Sequence, residues 1–217
     1  MKTILHKSNT RGFANHGWLK SHHTFSFASY QNAERMNFGA LRVLNDDVVQ
    51  PKMGFGTHPH QNMEIISIPL QGALSHKDSM GNKRAIEVGE VQVMSAGSGI
   101  VHSEYNRAKE PLTLFQIWIE TNKLNVKPRW ETKKFPTQQK LKLTLLASGY
   151  KEDENDALFI NQHARIYAGK LAKGAIIDHD IINQAYVLAS DGMFKLEDNT
   201  NNLTMNKGDG AEITQAK

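Results

Sequence analysis

The chain has 217 residues, of which 39% are apolar, and a formal net charge of +4. This length accommodates either one large all-β unit or two small domains, each with a buried core. No run of about 18 apolar residues is present, so no membrane span is expected. The basic residues are scattered rather than gathered into a stripe, so direct binding to nucleic acid is not expected either.

The absence of cysteine limits the chemistry that the chain can carry out. Disulfides, thiolate metal sites and cysteine nucleophiles are excluded, and any bound metal must be held by histidine, aspartate or glutamate. The opening residues 1–7 carry charge but lack the apolar stretch of a secretory signal. The cytoplasm is therefore the expected location.

Short apolar segments separated by polar turns predict β-strands along most of the chain. Such segments occupy residues 65–70, 112–119 and 141–146. Residues 113–119 alternate between two faces in the manner of a strand. Regularly spaced short strands with few helices are typical of an all-β sandwich or barrel. Residues 123–137, which include two prolines, are predicted to form a connecting loop at a domain boundary.

A weak internal repeat indicates two similar halves. In each half a glycine is followed six residues later by an aspartate and then by a glycine–acid pair. The residues are Gly72, Asp78, Gly89 and Glu90 in the first half, and Gly192, Asp198, Gly208 and Asp209 in the second. A duplicated barrel is the favoured interpretation. The alternative is that both halves merely contain hairpins, whose turns commonly use glycine and acidic residues.

Two His-containing pairs form the candidate metal site. On a strand, His58 and His60 share one face about 7 Å apart, and His102 and Glu104 do the same. If both faces point into one barrel, four ligands converge, and their chemistry suits Fe, Mn, Co, Ni, Cu or Zn. A lone His-x-His pair is more often a surface or core feature, but a second pair behind a glycine-rich turn favours a metal site.

The choice between two carboxylates depends on reach rather than on strand parity. Glu64 is expected to share a face with the first histidine pair, as Glu104 does with His102. Glu64 lies about 13 Å beyond His60 along an ideal strand, whereas Glu104 lies only about 7 Å from His102. Reach therefore favours Glu104, unless the strand bends sharply after His60.

Other histidines and several phenylalanines have weaker interpretations. Three N-terminal histidines are candidates for the site entrance or for orienting a ligand: His16, His22 and His23. Four others lack a partner pattern and are predicted to be structural: His6, His76, His163 and His179. Four phenylalanines are either walls of a pocket for a flat aromatic ligand or ordinary core: Phe25, Phe27, Phe38 and Phe55.

The segments around these pairs resemble the cupin motifs, and more closely those of the pirin family. The resemblance rests on His58-Pro59-His60 with Glu64, on residues 78–82 and 94–104, and on the N-terminal residues 11–13, 17–19, 23–27 and 41–47. It implies a bicupin of two stacked β-barrels, with a metal-binding barrel over residues 1–135 and a metal-free barrel over residues 136–217. Matched motif to motif, it implies that His58, His60, His102 and Glu104 are the ligands.

The resemblance also implies an activity. Bacterial pirins are associated with quercetin 2,3-dioxygenase activity, in which O₂ opens the ring of a flavonol and carbon monoxide is released. Iron is the expected ion, a small aromatic molecule and O₂ are the expected substrates, and Glu104 is expected to take the substrate's hydroxyl proton. The alternative is a metal-dependent regulatory or redox-sensing protein that acts through a partner protein.

The second half departs from the metal-binding pattern. Aligning Gly192 with Gly72 places Asp178 and Asp180 at the positions of the first histidine pair, and Gln184 at the position of Glu64. The counterpart of His102 would fall beyond residue 217. No metal is therefore expected in this half, and its barrel is expected either to be incomplete or to close differently.

Overall fold

The structure, a computed structural model, describes residues 1–136, 142–197 and 202–214. Over these ranges the chain is all-β, as predicted, with nineteen strands and two 3₁₀ helices, Ser8–Thr10 and Lys151–Asp153. Neither of these helices has the length or the apolar character to cross a membrane.

Twelve strands precede residue 136: β1 (Lys2–His6), β2 (Gly12–Asn15), β3 (Leu19–His23), β4 (Leu41–Val49), β5 (Gly54–His60), β6 (Met63–Gln71), β7 (Ala73–Asp78), β8 (Lys83–Glu87), β9 (Glu90–Ser95), β10 (Ile100–Tyr105), β11 (Leu112–Glu120) and β12 (Arg129–Lys134). Seven follow in the described ranges: β13 (Thr144–Ser148), β14 (Leu158–Phe159), β15 (Arg165–Ala168), β16 (Gln184–Leu188), β17 (Met193–Glu197), β18 (Asn202–Asn206) and β19 (Gly210–Thr214).

Two antiparallel sheets form the first barrel. One has seven strands in the order β12-β9-β6-β11-β4-β3-β2, and the other has four in the order β5-β10-β7-β8. Apolar residues join them, since Leu74 and Ile86 of the smaller sheet pack with Leu112 and Leu114 of the larger one. Because side chains alternate along a strand, each sheet sends every second residue into this interior.

The second half repeats the pairings of the first. In the first half β6 pairs with β9 around the β7–β8 hairpin, and in the second half β16 pairs with β19 around the β17–β18 hairpin. Gly72 and Gly192 both have positive φ, 77° and 63°, at the start of these hairpins. The duplicated barrel is therefore supported by strand topology. Asp198, one of the repeat residues, lies outside the described ranges.

The first strand belongs to the sheet of the second half, although residues 1–135 are predicted to form a single domain. β1 is antiparallel to β19, with Lys2 opposite Thr214 and His6 opposite Gly210. This pairing joins the two ends of the chain, which no local pattern indicates. A boundary after residue 135 therefore separates β1 from its partner β19. The division into domains over residues 1–135 and 136–217 otherwise stays a prediction.

The loop predicted for residues 123–137 is wrong over its second part. Residues 129–134 form β12, which pairs with β9 at the edge of the larger sheet. Pro128 and Pro136 lie just outside this strand, so neither removes a ladder hydrogen bond. Thr137 and Leu141, the ends of two predicted segments, lie outside the described residues. The strands predicted at 65–70 and 112–119 are confirmed.

A shared apolar core joins the two halves. Ile66, Phe115 and Ile117 of the first barrel pack with Leu146 and Ile160 of the second half. These side chains are at most 8% exposed, so most of their surface is removed from water. The stacking of the halves is therefore a hydrophobic interface rather than a set of surface contacts.

The turn before β10 depends on Gly97. Gly97 has φ of 49°, and a Cβ on it would lie 2.1 Å from the backbone oxygen of Val126. Its own carbonyl accepts a hydrogen bond from the amide of Asn62 at 2.9 Å. This glycine therefore fixes where β10 starts relative to the loop between β5 and β6.

We expect Gly97→Ala to destabilise the protein more than Gly17→Ala, which serves as its matched control. Gly17 also has positive φ, 77°, but nothing lies within 4 Å of its added Cβ. Left-handed backbone alone costs about 1–2 kcal/mol, and overpacking adds about 1–3 kcal/mol. Urea unfolding of both variants measures the difference. Equal losses would show that the contact with Val126 relaxes without cost.

Candidate metal centre

Strands β5 and β10 lie side by side and bring the two histidine segments together. Their antiparallel register places His58 directly opposite His102 and His60 opposite Ile100. The register shifts between His102 and Glu104, so that Glu104 stands opposite Phe55. The pairing therefore turns two sequence-distant motifs into one cluster.

The three histidines form a compact cluster. Ring nitrogens of His58, His60 and His102 lie within 4.8 Å of one another, and the ring centroids are 4.4 to 4.9 Å apart. His102 is buried, whereas His58 and His60 are half-buried. The cluster is thus buried at His102 and partly accessible at His58 and His60.

Hydrogen bonds fix the proton position on His58. Its Nδ1 lies 2.7 Å from the backbone oxygen of Gly56, which only accepts, so Nδ1 carries the proton. Nε2 of His58 is then a bare lone pair, and it lies 3.0 Å from Nε2 of His102. Metal-binding histidines commonly donate their second N–H to a carbonyl in this way, so the donor set fits a divalent ion.

Burial keeps His60 and His102 neutral. It lowers the pKa of His102 to about 3, and the nearby His58 and His76 lower it further. Burial likewise lowers the pKa of His60 to about 4, with contributions from His102 and His58. At neutral pH these two imidazoles are therefore uncharged, which is the form that binds metals.

Glu104 lies in the barrel interior and is almost completely buried, at 2% exposure. The side-chain amides of Gln92 and Gln116 donate to its two oxygens at 3.0 and 2.8 Å. One of its oxygens lies within 4.8 Å of ring nitrogens of His102 and His76, so Glu104 belongs to a second group that overlaps the first at His102.

Glu64 occupies a different place from the one expected. The chain turns at Asn62, where φ is 51°, so β5 and β6 belong to different sheets and the common strand face predicted for Glu64 is wrong. The Glu64 carboxylate accepts hydrogen bonds from Ser95 at 2.6 Å and from Asn161 at 3.2 Å. It therefore ties the first barrel to the second half.

Sequence reasoning missed the position of His76, which it treated as structural. His76 on β7 is opposite Glu104 on β10, and its ring lies 5.5 Å from that of His102. Its ring also stacks on Trp130, with centroids 5.1 Å apart. The signal available in the sequence was a second His-x-acid pair, His76 and Asp78, which has the same spacing as His102 and Glu104.

Of the four phenylalanines, one connects to the cluster. Phe27 meets Trp118 edge-on at 5.4 Å, and Trp118 meets His60 edge-on at 4.8 Å. The others belong to the core: Phe25, Phe38 and Phe55. Trp118 was not singled out from the sequence. Its indole N–H is buried and has no hydrogen-bond partner among the described residues.

The remaining histidines lie apart from the cluster. His23 is buried and hydrogen-bonded to Asn45 at 3.0 Å, and His6 pairs with Glu212 at 3.1 Å. The others are exposed: His16, His22, His163 and His179. Asp178 and Asp180, the counterparts of the first histidine pair, are exposed outside any strand. Among the described residues, both candidate metal groups lie in the first barrel.

Asp47 is a further buried acid in this barrel. It is 4% exposed, and its Oδ1 has no hydrogen-bond partner among the described residues. Burial raises its pKa to about 7, against a smaller opposing effect from a hydrogen bond with Ser21. The group is thus close to half-protonated at neutral pH.

A bicupin is the class of protein that this architecture and its histidine cluster define. The pirin family model matches residues 5–119, and a model described as a quercetinase C-terminal cupin domain matches residues 145–217. The chain belongs to the pirin family.

Named relatives agree with this assignment. The chain is 48% identical over 178 residues to a quercetin 2,3-dioxygenase of Escherichia coli K12, a match that covers 82% of this chain and 75% of the relative. It is 44% identical over 205 residues to a pirin-like protein of Caulobacter vibrioides, covering 93% and 86%. The crystal structure of the Escherichia coli pirin YhhW in complex with nickel(II) matches with a TM-score of 0.86 at 38% identity, covering 99% of this chain and 91% of that one.

We expect Asp47→Asn to stabilise the metal-free protein increasingly as the pH rises from 5 to 8. In the folded chain the pKa of Asp47 is raised from 3.8 to about 7. Between pH 5 and 8 the folded chain therefore has to release a proton that the unfolded chain has already lost, whereas Asn stays neutral throughout. The relative gain should be on the order of 2 kcal/mol. Chemical unfolding at each pH measures it.

Asp191→Asn is the control, because Asp191 is fully exposed and a hydrogen bond from Lys207 lowers its pKa. It is ionised throughout this pH range, so its effect should not vary with pH. A flat profile for Asp47→Asn as well would show that Asp47 is already ionised in the folded chain.

Proposed function

We propose that this chain is a metal-dependent dioxygenase in which His58, His60, His102 and Glu104 hold one divalent transition metal ion. The observation that carries the proposal is the cluster of three imidazoles, with the Nε2 atoms of His58 and His102 3.0 Å apart. Glu104 would supply a negative charge beside it. The nickel(II) bound by a related pirin supports the choice of a single divalent ion.

Iron is the ion we propose, with Mn, Co, Ni, Cu and Zn as the other candidates. Three imidazoles and one carboxylate suit borderline transition metals, and the absence of cysteine removes the soft thiolate ligand. When bound, the ion would supply Lewis-acid and redox chemistry. We also propose the cytoplasm as the location.

The proposed substrates are O₂ and a flavonol such as quercetin. Relatives named quercetin 2,3-dioxygenase support this choice. Trp118 lies against His60 and Phe27 lies against Trp118, and these aromatic surfaces are ones on which a flat ring system can pack. Glu104 would accept the proton of the substrate hydroxyl, as a suitably placed carboxylate does. Gln92 and Gln116 would keep that carboxylate oriented.

The two carboxylates should differ sharply when each is replaced by its amide. We expect Glu104→Gln to weaken metal binding by at least about 10- to 100-fold, because the site loses its anionic ligand. Loss of a residue that only orients a ligand already has an effect of this size. Glu64→Gln is the matched control, and should retain the metal because Glu64 contacts Ser95 and Asn161. Elemental analysis after dialysis decides. An emptied site in Glu64→Gln and a filled one in Glu104→Gln would reverse the assignment.

Quercetin turnover should require the metal. We expect protein loaded with iron(II), manganese, cobalt, nickel or copper to consume O₂ in the presence of quercetin, and to stop after chelation. His102→Ala should lose most of both metal and activity, because one missing ligand opens the site. Oxygen uptake together with elemental analysis measures this.

A fully metal-loaded chain that leaves quercetin untouched in air would instead favour the alternative function. That alternative is a regulatory or redox-sensing protein, which uses the same metal site and acts through a partner protein. Metal content separates this outcome from failure of the site itself.

A further inference from the structure

His76 is a buried imidazole beside the proposed ligands, yet it is not one of the four. Its Nε2 lies 3.0 Å from Oδ2 of Asp78, and both side chains are completely buried. Trp130 stacks on its face at an interplanar angle of 15°. The ring is therefore held both in its plane and at one of its two nitrogens.

Asp78 determines which nitrogen of His76 carries the proton. The Asp78 carboxylate already accepts hydrogen bonds from the amides of Met80 and Asn82 and from the side chain of Asn82, at 2.9 to 3.0 Å. A carboxylate in this role only accepts, so Nε2 of His76 must donate to it. Nδ1 of His76 is then a bare lone pair. It is buried and has no hydrogen-bond partner among the described residues.

His102 presents the complementary requirement. Nε2 of His58 carries no proton, because Nδ1 of that ring donates to Gly56. Without a metal ion, the 3.0 Å contact between the two Nε2 atoms is therefore a hydrogen bond only if Nε2 of His102 carries the proton. An ion held by both Nε2 atoms would replace this proton, and the proton of a neutral His102 would then reside on Nδ1. That nitrogen is also buried without a partner among the described residues. A buried N–H without an acceptor costs about 1–3 kcal/mol.

We propose that His76 is a positioning residue, whose Nδ1 accepts the Nδ1–H of His102 when Nε2 of His102 binds a metal ion. The proposal rests on the proposed metal site. The two rings are 5.5 Å apart at their centroids, and a ring nitrogen of each lies within 4.8 Å of the other. One proton moves from Nε2 to Nδ1 of His102, and its ring stays neutral. Asp78, His76 and His102 then form a chain that orients the ligand from inside the barrel.

Nuclear magnetic resonance of the full chain, with ¹⁵N-labelled histidine and zinc as a diamagnetic probe, tests this directly. Long-range proton–nitrogen correlations distinguish protonated, bare and metal-bound ring nitrogens. We expect the proton of His102 on Nε2 without zinc and on Nδ1 with zinc, while His76 keeps its proton on Nε2 in both states.

Each other outcome counts against the proposal in a distinguishable way. Zinc bound to Nδ1 of His76, or a proton on that nitrogen, overturns the positioning role and leaves the metal site intact. Histidine signals that do not respond to zinc overturn the proposed metal site and this inference with it.

Variants at position 76 give an independent readout. We expect His76→Phe, which keeps the stack on Trp130 but removes the acceptor, to raise the zinc dissociation constant about 10- to 100-fold. His76→Asn should restore most of the affinity, because its Oδ1 stands where Nδ1 does. His163→Phe, at an exposed histidine, is the control and should bind zinc as the wild type does. Wild-type affinity in His76→Phe would overturn the proposal, and should that variant fail to fold, the wild-type spectra still decide.

Discussion

The pairing of β5 with β10 is the constraint on which the site depends. It places His58 opposite His102 and holds their Nε2 atoms 3.0 Å apart, although 43 residues separate them in the sequence. Two bare imidazole nitrogens repel at this distance, so the cluster needs either a shared proton or a shared cation. Burial disfavours the charged imidazolium of His102, and a neutral His102 is suited to bind a metal ion.

A chain of hydrogen bonds inside the barrel holds the carboxylate next to this cluster. Gln92 and Gln116 donate to Glu104, and Trp130 in turn donates to Gln92 at 2.9 Å. Trp130 also packs against two apolar clusters of the same barrel. Buried amides of this kind are costly unless fully hydrogen-bonded, so each fixes the next in one orientation. The Glu104 carboxylate is thus held in one orientation by its partners.

Local sequence patterns were sufficient for the strands at residues 65–70 and 112–119 and for the shared face within each histidine pair, because a period of two is a property of a single strand. They were insufficient wherever partners are distant in the chain. A window of ten residues cannot reveal the pairing of β1 with β19 or the contact of Glu64 with Asn161, because the partners lie far apart in the chain. The turn at Asn62 was not predicted for another reason. Asparagine is compatible with both negative and positive φ, and the surrounding fold decides which one it adopts.

His76 and Trp118 illustrate the same limit within the site. Each was visible as a residue type that suits a metal or aromatic site, but only the sheet register brings His76 beside Glu104, and only the barrel packing brings Trp118 against His60. The role of a buried side chain is set by its neighbours on adjacent strands, and those neighbours are chosen by the fold as a whole.

Anomalous diffraction from crystals loaded with nickel(II) tests the central claim most directly. The predicted result is a single strong peak at about 2.0–2.2 Å from Nε2 of His58, His60 and His102 and from a carboxylate oxygen of Glu104. A peak bounded instead by His76, His102 and Glu104, or one in the second half of the chain, would contradict the proposed ligand set.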